Sequence, residues 1–590
     1  MNSLIPTSFT SISRDLDLPP IPLQSPAQVI ERNDKAGDVG LFSAFTSYVS
    51  SVMNDEPPEP NDQEIEATLM TVDCINDCRF EEILGNVSEL PVSSLKSLSI
   101  ALLGSMPESE SPRVISVKTE VPPPPSSPAA RNGPKAAAEA PPTYDPALVY
   151  VLELATILAM RDDETITTLG ADAAEALQVA IRDADHLHPV ALSRAVFYLL
   201  SLLRASNDHG YIRAPVVLHA ISSFRPELLK QCAQPVLKGM HGCVSGPTEL
   251  KNEVATSPDF WAVLQNLHTL VEAADLAFQI AECVAAGPNP AITADNYEAA
   301  VALLNAFATA GSVGARLEQQ QPGRRGQQQE KAAPAKKPEA VVRGAKAVGI
   351  VSLLASRVPS LIEASHLEMN EAWNTYWSPI FRCLATQCVN PCREIRNQAF
   401  TALQRCLQSP DLASTDHKEW TKIFGEVLFP LINQLLKPEV FGTDPKGMSE
   451  TRVQAAQLLC KIFLHYLVLL SEWEGVLDLW TQILGTMERL MQAGKSETLN
   501  EAVPESLKNI LLVMASGGYL VPPQNDGERT EQQGQIWSAT WERLEKFLPG
   551  LMPELFPGAG KEAPPPKQEA EETESSEKAA SPAVAEAQAA

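Results

Sequence analysis

EIRNQAFTAL (Glu394–Leu403) and ETRVQAAQLL (Glu450–Leu459) share the pattern Glu-x-Arg-x-x-Ala and carry an apolar residue at the tenth position. A pattern that recurs along a chain is typical of stacked structural units. The small alanine lets neighbouring helices approach closely, the arginine is able to cap or pair near a turn, and leucine fills the layer between units. The two segments predict equivalent helices in stacked hairpins, with Ala399 and Ala455 facing neighbouring helices.

The fold class follows from these segments and from composition. Each segment resembles the inner helix of a HEAT-type repeat. Their separation is longer than the usual ~40–47 residues, so we expect an elongated loop in LASTDHKEW or KPEVFGTDPKGMSE. The chain has 590 residues, of which 44% are hydrophobic and only 6% aromatic. Such a chain is too long for one core. We predict an all-α protein, an α-solenoid of HEAT/armadillo-like helical hairpins with disordered linkers and a disordered tail.

Proline-rich and low-complexity stretches divide the chain. Segments of this composition cannot bury enough apolar surface to fold. In the second helical region, Asp145-Pro146 predicts a helix start and Gly170 a break between helices. The predicted regions are a disordered Pro-rich entry (1–39), a first helical region with an amphipathic helix (40–106), a disordered linker (107–143), a second helical region (144–310), a second disordered linker (311–340), a third helical region with HEAT-like repeats (341–557) and a disordered acidic tail (558–590).

Charge and apolar run lengths restrict the classes of partner. The formal net charge of −27 and the pI near 4.8 argue against a nucleic-acid partner, because phosphate binding needs a concentrated basic surface. The apolar runs Ala147–Met160 and Phe463–Leu470 are shorter than the ~18–20 residues that span a bilayer. The N-terminus lacks a basic start followed by an apolar block, so we expect no signal peptide and a cytoplasmic location.

The stretch LFSAFTSYVSSVMNDEPPEP (Leu41–Pro60) separates large apolar residues from Ser and Thr at helical spacing. A polar face without charge, opposite aromatic side chains, is typical of helices that insert into loosely packed membrane surfaces. The alternative is a helix that packs in the protein core. The basic linker around Arg324 and Arg325 likewise has two interpretations, contact with anionic lipid or a solvated tether. The candidate membrane-binding residues are Leu41, Phe42, Phe45, Tyr48, Val49, Val52 and Met53.

The sequence contains no recognisable catalytic, cofactor-binding or metal-binding motif. Phosphate-binding glycine loops, a GxSxG elbow and HExxH are all missing. Cys74 and Cys78, like Cys388 and Cys392, are four residues apart, which suits buried thiols on a helix better than a zinc site. We therefore predict no catalytic residue, no cofactor and no metal.

A second set of candidate residues concerns partner binding or the stacking of repeats. Trp373 and Trp377 are four residues apart, so they suit either an aromatic anchor for a partner or a core helix face. Arg393 and Arg396 follow a predicted turn, and we expect them to pair with Glu394 of a neighbouring repeat. The complete set is Trp373, Trp377, Arg393, Glu394, Arg396, Glu450 and Arg452.

Two stretches resemble a known family. The first stretch is Leu41–Pro60 with its continuation NDQEIEATLMTVDCINDC, and the second is EAWNTYWSPIFRCLATQCVNPCREIRNQAF (Glu371–Phe400). They resemble the first and third conserved regions downstream of the catalytic domain in Golgi-type large Arf guanine nucleotide exchange factors, the brefeldin A resistance class. The resemblance covers most of Leu18 to Phe556, and a fungal source is expected. It implies that the catalytic Sec-seven domain lies upstream of Met1.

This resemblance implies a function without catalysis in the chain itself. It implies a regulatory and membrane-recruitment region of an Arf exchange factor in Golgi vesicle-mediated transport, cytoplasmic and peripheral at Golgi membranes. The implied partners are a Golgi or lipid-droplet membrane surface, the Arf-family GTPase pathway and other regions of the exchange factor. Two alternatives remain: a fragment of a gene whose full product is the exchange enzyme, and a free-standing helical-repeat scaffold.

Overall fold

The computed structural model describes residues 89–106, 145–319, 338–412, 421–493, 497–523 and 529–557, together with scattered residues between 66 and 87. All regular secondary structure in these ranges is helical, which confirms the predicted fold class. The predicted membrane helix Leu41–Met53 lies outside the described residues. The chain divides into two compact units, Met1–Thr451 and Arg452–Ala590.

The first unit is built from successive antiparallel helices. Its helices are α1 (Val92–Gly104), α2 (Pro146–Ala159), α3 (Asp163–Arg182), α4 (Pro189–Ala205), α5 (Ala214–Ser222), α6 (Pro226–Gln231), α7 (Ala233–Val244), α8 (Thr248–Thr256), α9 (Pro258–Leu267), α10 (Ala274–Ala286), α11 (Ala294–Gln319), α12 (Glu339–Ser365), α13 (Met369–Ala372), α14 (Ser378–Gln387), α15 (Arg393–Leu407), α16 (Phe429–Leu436) and α17 (Pro438–Phe441). The unit ends inside α18 (Pro445–His465).

Helix starts in this unit follow local sequence chemistry. As predicted, α2 begins at Pro146, and the Asp145 carboxylate accepts hydrogen bonds from the backbone N–H groups of Ala147 and Leu148. An aspartate cap satisfies donors that the helix leaves unpaired, and proline at the first position lacks such a donor.

The predicted break at Gly170 is wrong, because this glycine lies inside α3. A Cβ atom at Gly170 would lie 2.0 Å from Oη of Tyr211. The Tyr211 hydroxyl donates a hydrogen bond to the Ile166 carbonyl at 3.2 Å. The glycine therefore makes room for a tyrosine instead of ending a helix.

Helices α11 and α12 cross closely at two glycines. A Cβ atom on Gly311 or on Gly344 would lie 2.6 or 2.7 Å from Cδ1 of Ile395, which α15 places over the crossing. Helix α12 is long and apolar enough to span a membrane by length and composition. Its buried residues, Val348 and Leu354 among them, pack within the unit. The same helix also carries the charged side chains of Arg343 and Lys346. We therefore interpret α12 as a core helix.

Two helices continue through proline by means of a π-helical turn. Residues Trp373–Trp377 join α13 to α14 immediately before Pro379, and Ile423–Leu428 precede Pro430 in α16. Proline cannot donate the usual helical hydrogen bond, and a wider turn accommodates it without breaking the helix. The same device occurs in two successive hairpins.

The second unit contains the remainder of α18, then α19 (Leu467–Ser471), α20 (Val476–Gln492), α21 (Glu497–Ser516), α22 (Glu531–Phe547) and α23 (Leu551–Leu555). The Trp480 ring stacks on Phe463 with centroids 5.1 Å apart, and its Nε1 donates to Oγ1 of Thr540 at 2.8 Å. Trp537 and Trp541 of α22 make edge contacts with Phe556, the residue that follows α23, so these contacts hold the end of α23 against α22.

Candidate functional site

A buried polar network surrounds the turn between α14 and α15, within the stretch that resembles the third downstream region. Nε2 of Gln387, which is 1% exposed, lies 2.7 Å from Oδ1 of Asn305 and 2.9 Å from Oγ1 of Thr309 on α11. Nδ2 of Asn390 donates to the Ala308 carbonyl at 3.2 Å and to Oε1 of Gln387 at 2.7 Å. The turn is thereby fixed to the preceding hairpin.

Arg396 extends the network towards the next helix. Its side chain is fully buried, and its Nη1 donates to the Asn390 carbonyl at 2.7 Å, so it caps the turn. Its Nε donates to Oγ1 of Thr451 at 2.9 Å, and its Nη2 lies 2.6 Å from Oδ2 of Asp444. A buried guanidinium is stable only where its donors are paired in this way.

Asp444 is the carboxylate that both arginines of the turn contact. Arg393 approaches it at 3.2 Å from a half-exposed position. Burial acts to raise the pKa of Asp444, but hydrogen bonds from Arg393 and Arg396 outweigh it and lower that pKa to about 2. The sequence predicted Glu394 as the partner of these arginines, whereas the structure places Asp444 there.

The two Glu-x-Arg-x-x-Ala segments bury their alanines, with Ala399 fully buried and Ala455 2% exposed. The arginines differ in their partners. Arg452 is 3% exposed, its Nη1 donates to the Ala493 carbonyl at 3.4 Å, and burial lowers its pKa. Glu450 is exposed and lies 3.9 Å from Nη1 of Arg393. The shared pattern therefore places both alanines in buried positions, whereas the two arginines have different hydrogen-bond partners.

Trp373 and Trp377 lie in the core, at 1% and 6% exposure. The Trp377 ring stacks on Phe381, and Nζ of Lys422 lies 5.7 Å from the Trp373 ring centroid. Of the two interpretations that the sequence left open, the geometry favours the core helix face over a partner anchor. The exposed side chain Glu394 belongs to the start of α15.

The described residues contain no assembled catalytic centre. Ser222, Asp259 and His219 lie together, but both Ser222 and His219 contact the Asp259 carboxylate. A nucleophilic serine needs the histidine as its direct base, so this order does not activate Ser222. Burial raises the pKa of the thiols of Cys383 and Cys460 to about 12, which leaves them unreactive. No group of His, Cys, Asp or Glu among these residues is placed to hold a metal ion.

Sequence reasoning missed six members of the network: Asn305, Thr309, Gln387, Asn390, Asp444 and Thr451. One signal was present. Asp444-Pro445 repeats the Asp-Pro helix start of Asp145-Pro146, and Oδ1 of Asp444 accepts from the Gly447 N–H at 3.1 Å. An aspartate fixed by its own helix start is a suitable partner for a buried arginine.

Fold and site together define a helical-repeat protein in which a buried polar network connects successive hairpins. Residues 377–551 match the family model of the GBF1-like tetratrico peptide repeat region. This match covers most of the network and, in the second unit, the helices from α18 to α22. Tetratrico peptide repeats are, like HEAT repeats, stacked helical hairpins.

Curated relatives agree with the family model. The chain is similar to the Golgi-specific brefeldin A-resistance guanine nucleotide exchange factor 1 homolog of Caenorhabditis elegans, with 36% identity over 205 residues, 35% of this chain and 10% of that protein. It is 33% identical over 196 residues to the ARF guanine-nucleotide exchange factor GNOM of Arabidopsis thaliana, covering 32% of this chain and 13% of the relative. An uncharacterised Schizosaccharomyces pombe protein is 23% identical over 544 residues, 88% of this chain and 34% of its own. About a third of this chain is therefore similar to large Arf guanine nucleotide exchange factors, and the match spans only 10–13% of the length of those two relatives.

Proposed function

We propose that this chain is a non-catalytic regulatory and membrane-recruitment region of a large Arf guanine nucleotide exchange factor of the brefeldin A resistance class. The observation that carries the proposal is the match over residues 377–551, which falls on stacked helical hairpins. The chain acts through binding. Its place is downstream of the exchange domain, in the cytoplasm at Golgi membranes, in vesicle-mediated transport.

Nucleotide exchange on a panel of Arf-family GTPases tests the non-catalytic part of this proposal. The full chain alone should leave GDP release at the uncatalysed rate, because the exchange activity belongs to a separate domain. A purified exchange domain serves as the positive control in the same assay. A dose-dependent acceleration by the chain alone would contradict the proposal.

Membrane recruitment rests on the helix predicted at Leu41–Met53. Burying Phe42, Phe45 and their apolar neighbours contributes roughly 1.5–3 kcal/mol per large side chain, which suffices for reversible attachment. The uncharged polar face offers no attraction to lipid charge, so binding should depend on packing defects and little on salt. Small, neutral, highly curved liposomes and lipid-droplet surfaces are therefore the expected targets.

Liposome flotation of two matched variants tests this attachment. Phe42→Asp with Phe45→Asp should abolish flotation, whereas Ser43→Asp with Ser47→Asp adds the same charge on the opposite face and should retain most of it. Circular dichroism reports whether each variant is folded. A wild-type chain that never floats, or an unfolded Phe42/Phe45 variant, would assign this helix to the protein core.

A further inference from the structure

A cleft between α10 and α12 is lined by side chains of both charges. Its volume is about 400 Å³, which is within the range of sites that bind small molecules, and it opens to solvent. Helix α10 contributes the carboxylates of Asp275 and Glu282, and α12 contributes Glu339, Arg343 and Lys346. Three acidic and two basic side chains therefore share one small space.

The two helices that form the cleft run parallel. Arg343 pairs with Asp275 near the start of both helices. Near the end of α10, Nη1 of Arg357 donates to the Ala285 carbonyl at 3.3 Å. Residues of α10 and α12 therefore follow each other in the same direction along the cleft, and the pair of Asp275 and Arg343 closes one end of it.

Lys346 and Glu282 leave opposite charges unpaired beyond this closed end. By the helical rise, Lys346 lies about 4.5 Å beyond Arg343, and Glu282 lies about 10.5 Å beyond Asp275. Within the part of the chain that the structure describes, neither Lys346 nor Glu282 has an ion-pair partner, although both line the cleft. Two opposite charges that line one cleft without meeting leave space for a ligand between them.

Apolar side chains form the rest of the contact surface. Phe278 lines the cleft one turn before Glu282 and is only 3% exposed, so it belongs to the floor. Val342 lines the α12 side and is 40% exposed. These two side chains suit the carbon atoms of a ligand whose ends are charged.

The balance of charges restricts the class of ligand. A simple anion is attracted by Lys346 but repelled by Glu282 and Glu339, and a simple cation is attracted by those carboxylates but repelled by Lys346. An uncharged ligand would remove water from charged groups without replacing its hydrogen bonds. A zwitterion avoids these penalties, because its anionic end pairs with Lys346 and its ammonium end with Glu282.

We propose that this cleft binds a small zwitterion in which a phosphate and an ammonium group are joined by a short carbon chain, the chemistry of phosphoethanolamine. The phosphate belongs on the α12 side, where Lys346 follows Arg343 by one turn, and the ammonium group belongs beside Glu282 of α10. The short carbon chain between them lies over Phe278. Free phosphoethanolamine and the phosphatidylethanolamine headgroup share this chemistry.

Isothermal titration calorimetry of the full chain with O-phosphoethanolamine tests the site. The comparison ligands are its two halves, ethanolamine and inorganic phosphate, at the same millimolar concentrations. O-Phosphoethanolamine should bind. Each half should bind at least about tenfold more weakly, because it satisfies one end of the cleft and is repelled by the like charge at the other.

Charge reversal within the cleft gives a result that a merely structural role would not produce. Lys346→Glu and Glu282→Lys alone should each weaken O-phosphoethanolamine binding by about tenfold or more. The two together keep both charges in the cleft at exchanged positions, so the zwitterion can bind in the reverse direction. The double reversal should therefore bind more tightly than either single variant.

The matched control exchanges two exposed charges outside the cleft, with Arg382→Glu and Glu363→Lys. It should bind O-phosphoethanolamine within about twofold of wild type. Circular dichroism checks the folding of each variant. If a reversal fails to fold, Lys346→Gln with Glu282→Gln replaces it and should also weaken binding by about tenfold or more.

Flotation with phosphatidylcholine vesicles that contain phosphatidylethanolamine distinguishes the two sources of the ligand. Weaker flotation of the Lys346→Gln, Glu282→Gln variant than of wild type would identify the lipid headgroup. Equal flotation of the two, together with binding of soluble O-phosphoethanolamine, would identify a free zwitterion.

Three results would overturn the proposal. The first is undetectable binding of O-phosphoethanolamine by the folded wild-type chain at millimolar concentration. The second is equally tight binding of ethanolamine or of inorganic phosphate alone. The third is a set of cleft variants that bind as well as the Arg382→Glu, Glu363→Lys control.

Discussion

Nη2 of Arg396 lies 2.6 Å from Oδ2 of Asp444, although 48 residues separate them in the chain. Arg396 is fully buried and also caps the turn before its own helix, so one side chain joins the turn to the next helix. Losing Arg396 is costly, because its fully buried side chain leaves a cavity and its hydrogen bonds to Oγ1 of Thr451 and the Asn390 carbonyl are lost together with the ion pair.

Removing the buried arginine should therefore destabilise the first unit strongly. We expect Arg396→Ala to lower the free energy of unfolding by about 3–5 kcal/mol, measured by urea denaturation followed by circular dichroism. Arg393→Ala is the control, because the half-exposed Arg393 contacts the same carboxylate and should cost less than about 1 kcal/mol. Equal, small losses in both variants would show that the buried pair does not hold the hairpins together.

The ion pair of Arg396 and Asp444 should also make the free energy of unfolding depend on pH in the acid range. Folding lowers the pKa of Asp444 from 3.8 to about 2, so its stabilisation is complete above about pH 4 and disappears as the pH falls towards 2. The expected loss over this window is about 2 kcal/mol. Asp444→Asn cannot titrate and should lack this part of the acid dependence. Parallel pH profiles for wild type and variant would contradict the pKa assignment.

The close crossing of α11 and α12 can be tested with one destabilising substitution and a second substitution that should relieve it. A methyl group at Gly344 would lie 2.7 Å from Cδ1 of Ile395, so Gly344→Ala should cost about 1–3 kcal/mol. Ile395→Val removes that carbon atom, and Gly344→Ala should cost clearly less in its presence. A double-mutant cycle of unfolding free energies measures this coupling. Additive costs would mean that the two residues do not meet.

Burial of the repeat alanines predicts a further pair of variants. Ala399→Glu and Ala455→Glu each place a carboxylate in a packed interface, and each should cost on the order of 3 kcal/mol or more. Thr401→Glu and Gln457→Glu, on exposed positions of the same helices, should be nearly neutral. Thermal melts in which the alanine variants behave like these controls would show that the shared pattern does not mark packed helices.

Local signals were readable from sequence, and distant pairings were not. Asp145-Pro146 predicted a helix start because a cap and a proline act within a few residues. Gly170 was misread since the reason for its small size, Tyr211, comes from a later turn. Arg396 was a candidate, but its partner Asp444 could not be chosen among many acidic residues without the packing of two helices.

The central claim is that this chain recruits and orients an exchange activity without supplying it. The most direct measurement is the rate of GDP release from an Arf-family GTPase on small neutral liposomes, with the exchange domain alone, this chain alone, and the two joined in one polypeptide. The account predicts no acceleration by the chain alone, and faster exchange by the joined protein than by the domain alone only when liposomes are present. Acceleration by the chain alone, or equal rates for the joined protein and the domain on liposomes, would contradict it.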